Sequence, residues 1–347
     1  LGESASVLWR VSNDGLAVYP LPPALEIEEA AQGFKKDILR HGVHDTRHLD
    51  ARAAELSRRL LEPVEGLTDA TRWLIVAEGA LLEVPFAALP RPGDGRPVVE
   101  EHETAYAPSA GALLELQRRD RARRASPRLA AFVDPVYGAD DKRASGNGEP
   151  PVLHGVPLGR LKHSETAVRE LLALSPRDDH LVLKGFGAHR VAFEETNWSD
   201  FDLLHLSTHA FAHSKGELSA LVLSTLDENG HRRDGLLPAI EISRLDIPLD
   251  LVVLSACETG LGEVVRGEGL IGLSWAFLDA GADRVVSSLW RVDDQHTAEL
   301  MTHFYRALQS DGLAPSAALR NAQLEMMRRP GSSLYTWAGF TLQGDWT

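Results

Sequence analysis

The chain has 347 residues and a single cysteine, at position 257. One cysteine excludes an internal disulfide and is typical of proteins in the reducing cytosol. The sequence also lacks an apolar run long enough to cross a bilayer, and it has no signal-peptide pattern. We therefore predict a cytoplasmic protein without membrane contact. Because the first residue is leucine, we also expect the chain to be either a trimmed form or a part of a longer protein.

Basic residues are few compared with acidic ones. There are 36 Lys and Arg against 50 Asp and Glu, and the formal net charge is −14. Such a chain repels nucleic acids and anionic lipids, so we expect neither as a direct partner. Hydrophobic residues make up 44% and charged residues 25%, which is the balance of a soluble globular protein.

Two groups of histidines resemble metal-binding patterns without completing one. His41, His44 and His48 lie in a highly charged stretch with no carboxylate pattern beside them. His205 and His209 are four residues apart, but the stretch LLHLSTH has a strand-like composition, and no glutamate follows His205 as it would in a metalloprotease helix. We predict no metal and no cofactor, and we interpret His205 as a structural residue or as a support for a neighbouring site residue.

Strand-like apolar runs alternate with helical patterns through most of the chain. This order predicts an α/β fold with a mostly parallel sheet and helices on both faces. Ser4–Tyr19 is predicted to form a β-hairpin, because Asn13-Asp14-Gly15 is a strong turn signal. A strand at Trp73–Ala77 is predicted to continue through Leu82–Leu89, and Ser164 is predicted to cap a helix over Ser164–Leu174.

Two of the apolar runs end in residues that can carry out chemistry. Leu251–Leu254 is followed closely by Cys257, and Phe201–Leu206 is followed by His209. Open α/β sheets place their chemistry at the carboxyl ends of their strands. A thiol beside an imidazole is the minimum apparatus for nucleophilic attack on a carbonyl. His209 precedes Cys257 by 48 residues, and caspases have a similar spacing of about 50.

The blocks around these residues resemble the CHAT family, caspase-like peptidases related to separase. The block around His209 and the block around Cys257 are specific for this family when both occur in this order along the chain. The matching stretches cover most of the chain. They are HLSTHA around His209, VVLSACETG around Cys257, GEGLIGLSWAFLDAGA at Gly267–Ala282, VVSSLWRVDD at Val285–Asp294 and WAGFTLQG near the end, with weaker matches in LIVAEGALLEVPFAALP and AYAPSAGALLEL.

The resemblance implies a caspase-like peptidase domain at residues 126–347, preceded by a degenerate pseudo-caspase region at residues 1–125. It implies a cysteine endopeptidase that cleaves a protein partner as a gated effector of a bacterial signalling or defence system. The expected activator is an upstream sensor region, commonly of helical repeats, or a separate partner. The alternative is a catalytically silent scaffold that binds proteins. A serine hydrolase is disfavoured because the sequence lacks G-x-S-x-G.

The resemblance also suggests roles for individual residues. Cys257 would be the nucleophile and His209 the proton carrier, with backbone N–H groups of Cys257 and Ala210 meeting the oxyanion. In separase-like enzymes an acidic residue of the LW-x-V-x-D segment meets a basic substrate residue, which suggests Asp294, or alternatively Asp293. Capping of the following helix is an equal alternative for both aspartates. Glu258 either lines the cleft or fixes a loop, and a preference for basic or for apolar substrates is left open.

Overall fold

The computed structural model of the chain describes residues 1–41, 46–64, 70–119, 126–144, 152–153, 156–211, 218–255, 257–258 and 269–346. At residues 41, 46–48, 152–153, 156–157, 257–258 and 269–271 it describes the backbone alone. The strands are β1 (Ser6–Ser12), β2 (Gly15–Leu21), β3 (Arg72–Ile75), β4 (Glu103–Tyr106), β5 (Leu129–Val133), β6 (Val152–Leu153), β7 (Val156–Pro157), β8 (Leu181–Lys184), β9 (Leu203–Ser207), β10 (His209–Phe211), β11 (Ala220–Val222), β12 (Leu236–Pro238), β13 (Leu251–Leu254), β14 (Cys257–Glu258), β15 (Arg284–Ser288) and β16 (Phe340–Gly344). The helices are α1 (Ala24–His41), α2 (Thr46–Leu60), α3 (Ala110–Gln117), α4 (Ser164–Leu174), α5 (Arg190–Glu194), α6 (Ala239–Ile242), α7 (Gly269–Asp279), α8 (Asp294–Gln309), α9 (Pro315–Met327) and α10 (Leu334–Trp337).

Eight strands form the main sheet, in the order β3-β4-β16-β15-β13-β9-β5-β8. All neighbouring pairs are parallel except β15 and β16, which are antiparallel. The strands β15-β13-β9-β5-β8 therefore run in one direction, and β3, β4 and β16 run in the other. The predicted α/β class with a mostly parallel sheet is confirmed.

Successive residues of the central strands pack into two different hydrophobic cores. In β5, Leu129 and Ala131 belong to one core, while Ala130 and Phe132 belong to the other. The first core includes residues of α1, α4, α8 and α9, and the second includes residues of α5, α6 and α7. Because side chains alternate across a strand, this division places helices on both faces of the sheet. It also explains why these strands are apolar throughout.

The boundary predicted between residues 125 and 126 lies at the edge of a stretch, 120–125, outside the described residues. Strands β3 and β4 come from the first of the two predicted regions, and β4 pairs with β16 from the far end of the chain. Strands from both regions thus share one sheet. The division into a pseudo-caspase region and a peptidase domain remains a prediction.

A smaller sheet of four strands has the order β12-β11-β10-β14. Strand β10 is antiparallel to β11 and parallel to β14. Only Thr208 separates β9 from β10, and β14 begins three residues after β13 ends. Two neighbouring strands of the main sheet, β9 and β13, therefore each lead directly into a strand of the smaller sheet.

The predicted hairpin forms, with β1 and β2 paired antiparallel from Ser6 opposite Leu21 to Ser12 opposite Gly15. One of its faces is apolar and exposed. The side chains on that face are Val7, Trp9, Val11, Leu16, Val18 and Pro20, and Trp9 and Val11 retain 64% and 78% of their accessible surface. Together they form a patch on the order of 400 Å², comparable to the largest apolar patches of soluble monomers.

Two local predictions are wrong. Leu82–Leu89 does not continue a strand but lies in two short 3₁₀ turns, Gly79–Glu83 and Phe86–Ala88. The helix α4 has His163 rather than Ser164 at its N-cap, and the Ser164 hydroxyl donates to the carbonyl of Leu161 at 2.8 Å. Among the described residues, no helix is both long enough and apolar enough to cross a membrane.

Candidate active site

The backbone places Cys257 and His209 side by side. In the main sheet Leu203 of β9 pairs with Leu251 of β13. The same sequence offset continues into the smaller sheet, where His209 of β10 pairs in parallel register with Cys257 of β14. Neighbouring strands lie about 5 Å apart. The two residues that the sequence singles out are therefore direct neighbours across adjacent strands.

His209 is buried and has one ring nitrogen fixed. The side chain is 3% exposed, and Nε2 lies 2.7 Å from the carbonyl oxygen of Gly159. A carbonyl can only accept a hydrogen bond, so Nε2 carries the proton and donates it. Nδ1 is then unprotonated in the neutral ring, and no described residue gives it a hydrogen-bond partner. This tautomer leaves Nδ1 available to accept a proton.

The surroundings of His209 keep its imidazole neutral. Burial lowers its pKa from the usual 6.5, and the charge of Arg291 lowers it further, while the hydrogen bond to Gly159 acts in the opposite direction. Burial has this effect because a charged imidazolium loses its hydration. A neutral imidazole with a free acceptor nitrogen is the form that a general base requires.

Tyr137 packs against His209 and holds its backbone. Their ring centroids are 4.8 Å apart, and the tyrosine hydroxyl accepts a hydrogen bond from the His209 backbone N–H at 3.1 Å. The same hydroxyl lies 3.0 Å from the hydroxyl of Thr208, which in turn donates to the carbonyl of Val222. Tyr137 therefore fixes both the ring plane and the strand that carries the histidine.

Asp294 contacts the segment that holds His209. Its Oδ2 accepts a hydrogen bond of 2.6 Å from the backbone N–H of His163, four residues after Gly159. Burial raises the pKa of Asp294, although this hydrogen bond works in the other direction. A carboxylate whose pKa is raised by burial lacks full compensation for its lost hydration. Asp294 is thus a partly desolvated carboxyl group held against the segment that follows Gly159.

The other predicted site residues lie in different settings. Asp293 is the N-cap of α8, where its side chain accepts from the His296 N–H at 3.1 Å, as the capping alternative expected. Ala210 lies in β10 between two paired strands, opposite Leu221 on one side and Glu258 on the other. The substrate and oxyanion roles of Asp293, Ala210 and Glu258 remain predictions.

His205 lies apart from this arrangement, within the main sheet. It is buried in β9, and its Nδ1 lies 2.5 Å from the hydroxyl of Tyr305 on α8. Burial lowers its pKa to about 3, so the ring is neutral. Within the described ranges, no group of three or more His, Cys, Asp or Glu is arranged to hold a metal ion; His44 lies outside them.

Sequence reasoning found no third residue to orient the histidine, whereas the structure provides two. Gly159 supplies a backbone carbonyl, and Tyr137 supplies a ring and a hydroxyl. A main-chain carbonyl has no sequence signature, because any residue carries one. The sequence offered one signal for Tyr137 as a site residue. It lies only a few residues after β5, at the carboxyl edge of the sheet.

Comparisons with known proteins give one family and several distant relatives. The family model of the CHAT domain matches residues 50–345. Tetratricopeptide repeat protein 28 of Homo sapiens is 28% identical over 313 residues, and its Mus musculus counterpart is 27% identical. Each alignment covers 78% of this chain, which spans about 12% of the length of these relatives.

Solved structures resemble the chain only loosely. The Arg-specific cysteine proteinase gingipain R is 10% identical with a TM-score of 0.45, covering 71% of this chain and 55% of its own. The Saccharomyces cerevisiae separase–securin complex is 13% identical with a TM-score of 0.41, covering 76% of this chain and 14% of its own. The family model covers far more than half of the sequence, and the chain belongs to the CHAT domain family.

Proposed function

We propose that the chain is a cysteine endopeptidase that cleaves a protein partner with a dyad of Cys257 and His209. The observation that carries this proposal is the parallel pairing of the two residues, together with a histidine tautomer that leaves Nδ1 without a described partner. Membership of the CHAT family supports it. The cellular setting we propose is a gated effector in a bacterial signalling or defence system.

The proposed reaction assigns the proton transfers to Nδ1 of His209. Nδ1 of His209 takes the proton of the Cys257 thiol, and the sulfur forms a bond to the scissile carbonyl carbon. The C–N bond then breaks, and the leaving amine receives the proton from Nδ1. Water, deprotonated by the same nitrogen, hydrolyses the thioester and restores the thiol. Throughout these steps, the Gly159 carbonyl accepts the hydrogen bond from Nε2–H and stabilises the imidazolium.

Backbone N–H groups of Cys257 and Ala210 are the proposed oxyanion donors. Replacing the backbone amide of residue 210 with an ester removes the N–H of Ala210. A fall in kcat of about 10²-fold or more is expected from that replacement.

The direct test of the proposal is thiol chemistry, because a reagent can label only one cysteine in this chain. An activated Cys257 should react with iodoacetamide faster than a free thiol, and His209→Gln should remove the acceleration. A catalytically silent scaffold would show slow labelling that does not depend on His209. Cleavage of a peptide library by the native chain, measured in parallel, would then identify the bond that is cut.

The proposed first subsite contains Asp294, and we expect it to favour arginine at the cleaved bond. A planar guanidinium can pair with a partly desolvated carboxylate through two hydrogen bonds. Asp294→Asn should therefore reduce kcat/KM for arginine substrates by about 2–5 kcal/mol in free energy, and for leucine substrates much less. Peptides that differ only at this position measure the difference.

Asp293→Asn is the matched control for this prediction, because asparagine caps helices about as well as aspartate. It should leave the arginine preference intact. Protonation offers a second check: the pKa of Asp294 is raised, so the preference should disappear as pH falls through that raised value. A preference for leucine that is unchanged in Asp294→Asn would restrict Asp294 to holding His163.

The proposal includes an activating region of helical repeats, as in the tetratricopeptide repeat proteins to which the chain is similar. We propose that such a region docks on the exposed apolar face of the β1–β2 hairpin. In a polypeptide that joins such a region to this chain, hydrogen exchange across Ser6–Leu21 should then be slower than in the 347-residue chain alone. Trp9→Ser with Val18→Ser should abolish this protection and alter basal cleavage.

Val191→Ser is the control for the hairpin experiment. Val191 is 52% exposed on α5, outside the hairpin, so its replacement matches that of Val18, which is 53% exposed, at a different surface. Equal exchange rates across Ser6–Leu21 in the long and short forms would contradict the docking proposal.

A further inference from the structure

The backbone of Asp134 adopts an unusual conformation directly after β5. Its φ is +49°, and it is the one non-glycine residue with positive φ in the described part of the chain. L-residues other than glycine rarely adopt this region, and they persist there when the surrounding contacts require it. The side chain is 3% exposed. The contacts of the buried Asp134 carboxylate must therefore account for the strained backbone.

Two arginines hold this carboxylate. Arg143 donates to its Oδ2 at 2.7 Å and to its Oδ1 at 3.1 Å. Arg160 donates from Nε to Oδ1 at 3.0 Å and from Nη2 to Oδ2 at 2.7 Å. A second buried carboxylate, Asp141, pairs with Arg143 and balances the charge of the group. Paired forks of this kind fix orientation as well as distance.

The Asp134–Arg160 ion pair bears on His209 because Arg160 directly follows Gly159 in the chain. The carbonyl of Gly159 and the N–H of Arg160 belong to the same planar peptide. That carbonyl is the one that accepts the hydrogen bond from Nε2–H of His209. Fixing Arg160 therefore restricts the carbonyl that selects the tautomer of the proposed catalytic histidine. At the other end of this segment, His163 is held by Asp294.

Asp134 also begins the stretch that contributes the second contact to the histidine. Tyr137 follows three residues later and packs on the His209 ring. Between them, Val136 donates its N–H to the hydroxyl of Ser224 at 3.0 Å. Tyr137 and Gly159, the two residues that orient His209, thus each lie within three residues of a member of the Asp134–Arg160 pair.

We propose that Asp134 and Arg160 are positioning residues for His209: their ion pair fixes the Gly159–Arg160 peptide so that its carbonyl holds the Nε2–H tautomer. Among the hydrogen bonds of the described residues, none joins either side chain to His209. The inference rests on the proposed peptidase function for its kinetic consequences, but its structural content concerns the ring of His209 alone. The two can therefore be tested separately.

The experiment uses Arg160→Gln, because Arg160 is 41% exposed and its replacement leaves no large cavity. The readout is the ¹⁵N NMR signature of the His209 ring, which distinguishes the two neutral tautomers without any catalysis. The native chain should show Nε2–H, and Arg160→Gln should show a mixture. Arg160→Lys retains the charge without the fork and should fall between them. Asp134→Asn should behave like Arg160→Gln, since asparagine tolerates positive φ.

Arg52→Gln is the matched control. Arg52 is also 41% exposed and is paired with Asp37 at 3.0 Å, in contact with α1 rather than the site. It should leave the ring signature native. In kinetic assays, Arg160→Gln should reduce kcat by about 10- to 100-fold with KM nearly unchanged, as expected when a catalytic group is misplaced. Arg52→Gln should change neither constant.

The outcomes separate the two claims. A tautomer mixture in Arg160→Gln but not in Arg52→Gln supports the positioning role, even if the native chain cleaves no peptide and the proposed function fails. A native Nε2–H signature in both Arg160→Gln and Asp134→Asn overturns the positioning role, even if the chain is an active peptidase. Folding is checked in the same samples by the backbone amide spectrum, and Arg160→Lys replaces any variant that fails to fold.

Discussion

Replacing Cys257 with alanine is expected to abolish peptide-bond cleavage and to leave the fold intact. The chain has no second cysteine to substitute as nucleophile, so kcat should fall by roughly 10⁴-fold or more. Alanine removes a single sulfur atom and can adopt the same strand conformation. The unfolding midpoint in urea should therefore change little. Cleavage of a peptide identified with the native chain is the measurement.

Two controls make this result specific. Cys257→Ser replaces the thiol with a hydroxyl that is far less acidic, so it should also be inactive although it keeps the size and a polar atom. Ser255→Ala alters a buried hydroxyl two residues earlier and should retain activity. Full cleavage by Cys257→Ala would remove the proposed mechanism, whereas loss of cleavage in Ser255→Ala would indicate that the whole turn is sensitive.

The sequence could predict that His209 and Cys257 are neighbours, because their separation in the chain equals the offset at which their strands pair. The strands β9 and β13 are adjacent and parallel, and they pair with an offset of 48 residues, as Leu203 with Leu251 shows. The same offset separates His209 from Cys257. Short apolar runs identified the two strands, since both are buried on both faces. The strands β10 and β14, in contrast, have only three and two residues and are too short to be recognised.

The sequence patterns did not predict contacts between residues that lie far apart in the chain. Gly159, which fixes the ring of His209, lies in a stretch without a clear pattern, and the Asp134–Arg160 pair joins residues 26 positions apart. The error at Leu82–Leu89 has a similar origin. There the Tyr106 hydroxyl donates to the carbonyl of Val84 and accepts from the N–H of Phe86, on either side of Pro85. A side chain thus satisfies backbone groups that a neighbouring strand would otherwise pair.

Replacing His209 with glutamine is expected to reduce kcat/KM by about 10³- to 10⁴-fold, because one group carries the proton in both directions of the reaction. The glutamine amide can still donate to the Gly159 carbonyl, so the variant retains that hydrogen bond and lacks only the titratable nitrogen. Tyr137→Phe is the matched control at the ring-packing side. It keeps the aromatic contact, loses the hydroxyl that accepts from the His209 N–H, and should reduce the rate far less.

The pH dependence gives the sharper test of His209. The base must be neutral to accept the thiol proton, and burial lowers its pKa below 6.5. The native rate should therefore persist as pH drops through 6.5 and fall only when the pH approaches that lowered value. In His209→Gln the residual rate should instead rise toward alkaline pH, as an unassisted thiol with a pKa of about 8.5 ionises. If His209→Gln retained the acid limb of the native chain, another residue would have to be the base, and the neutral, buried imidazole would serve only to hold β10 against Gly159.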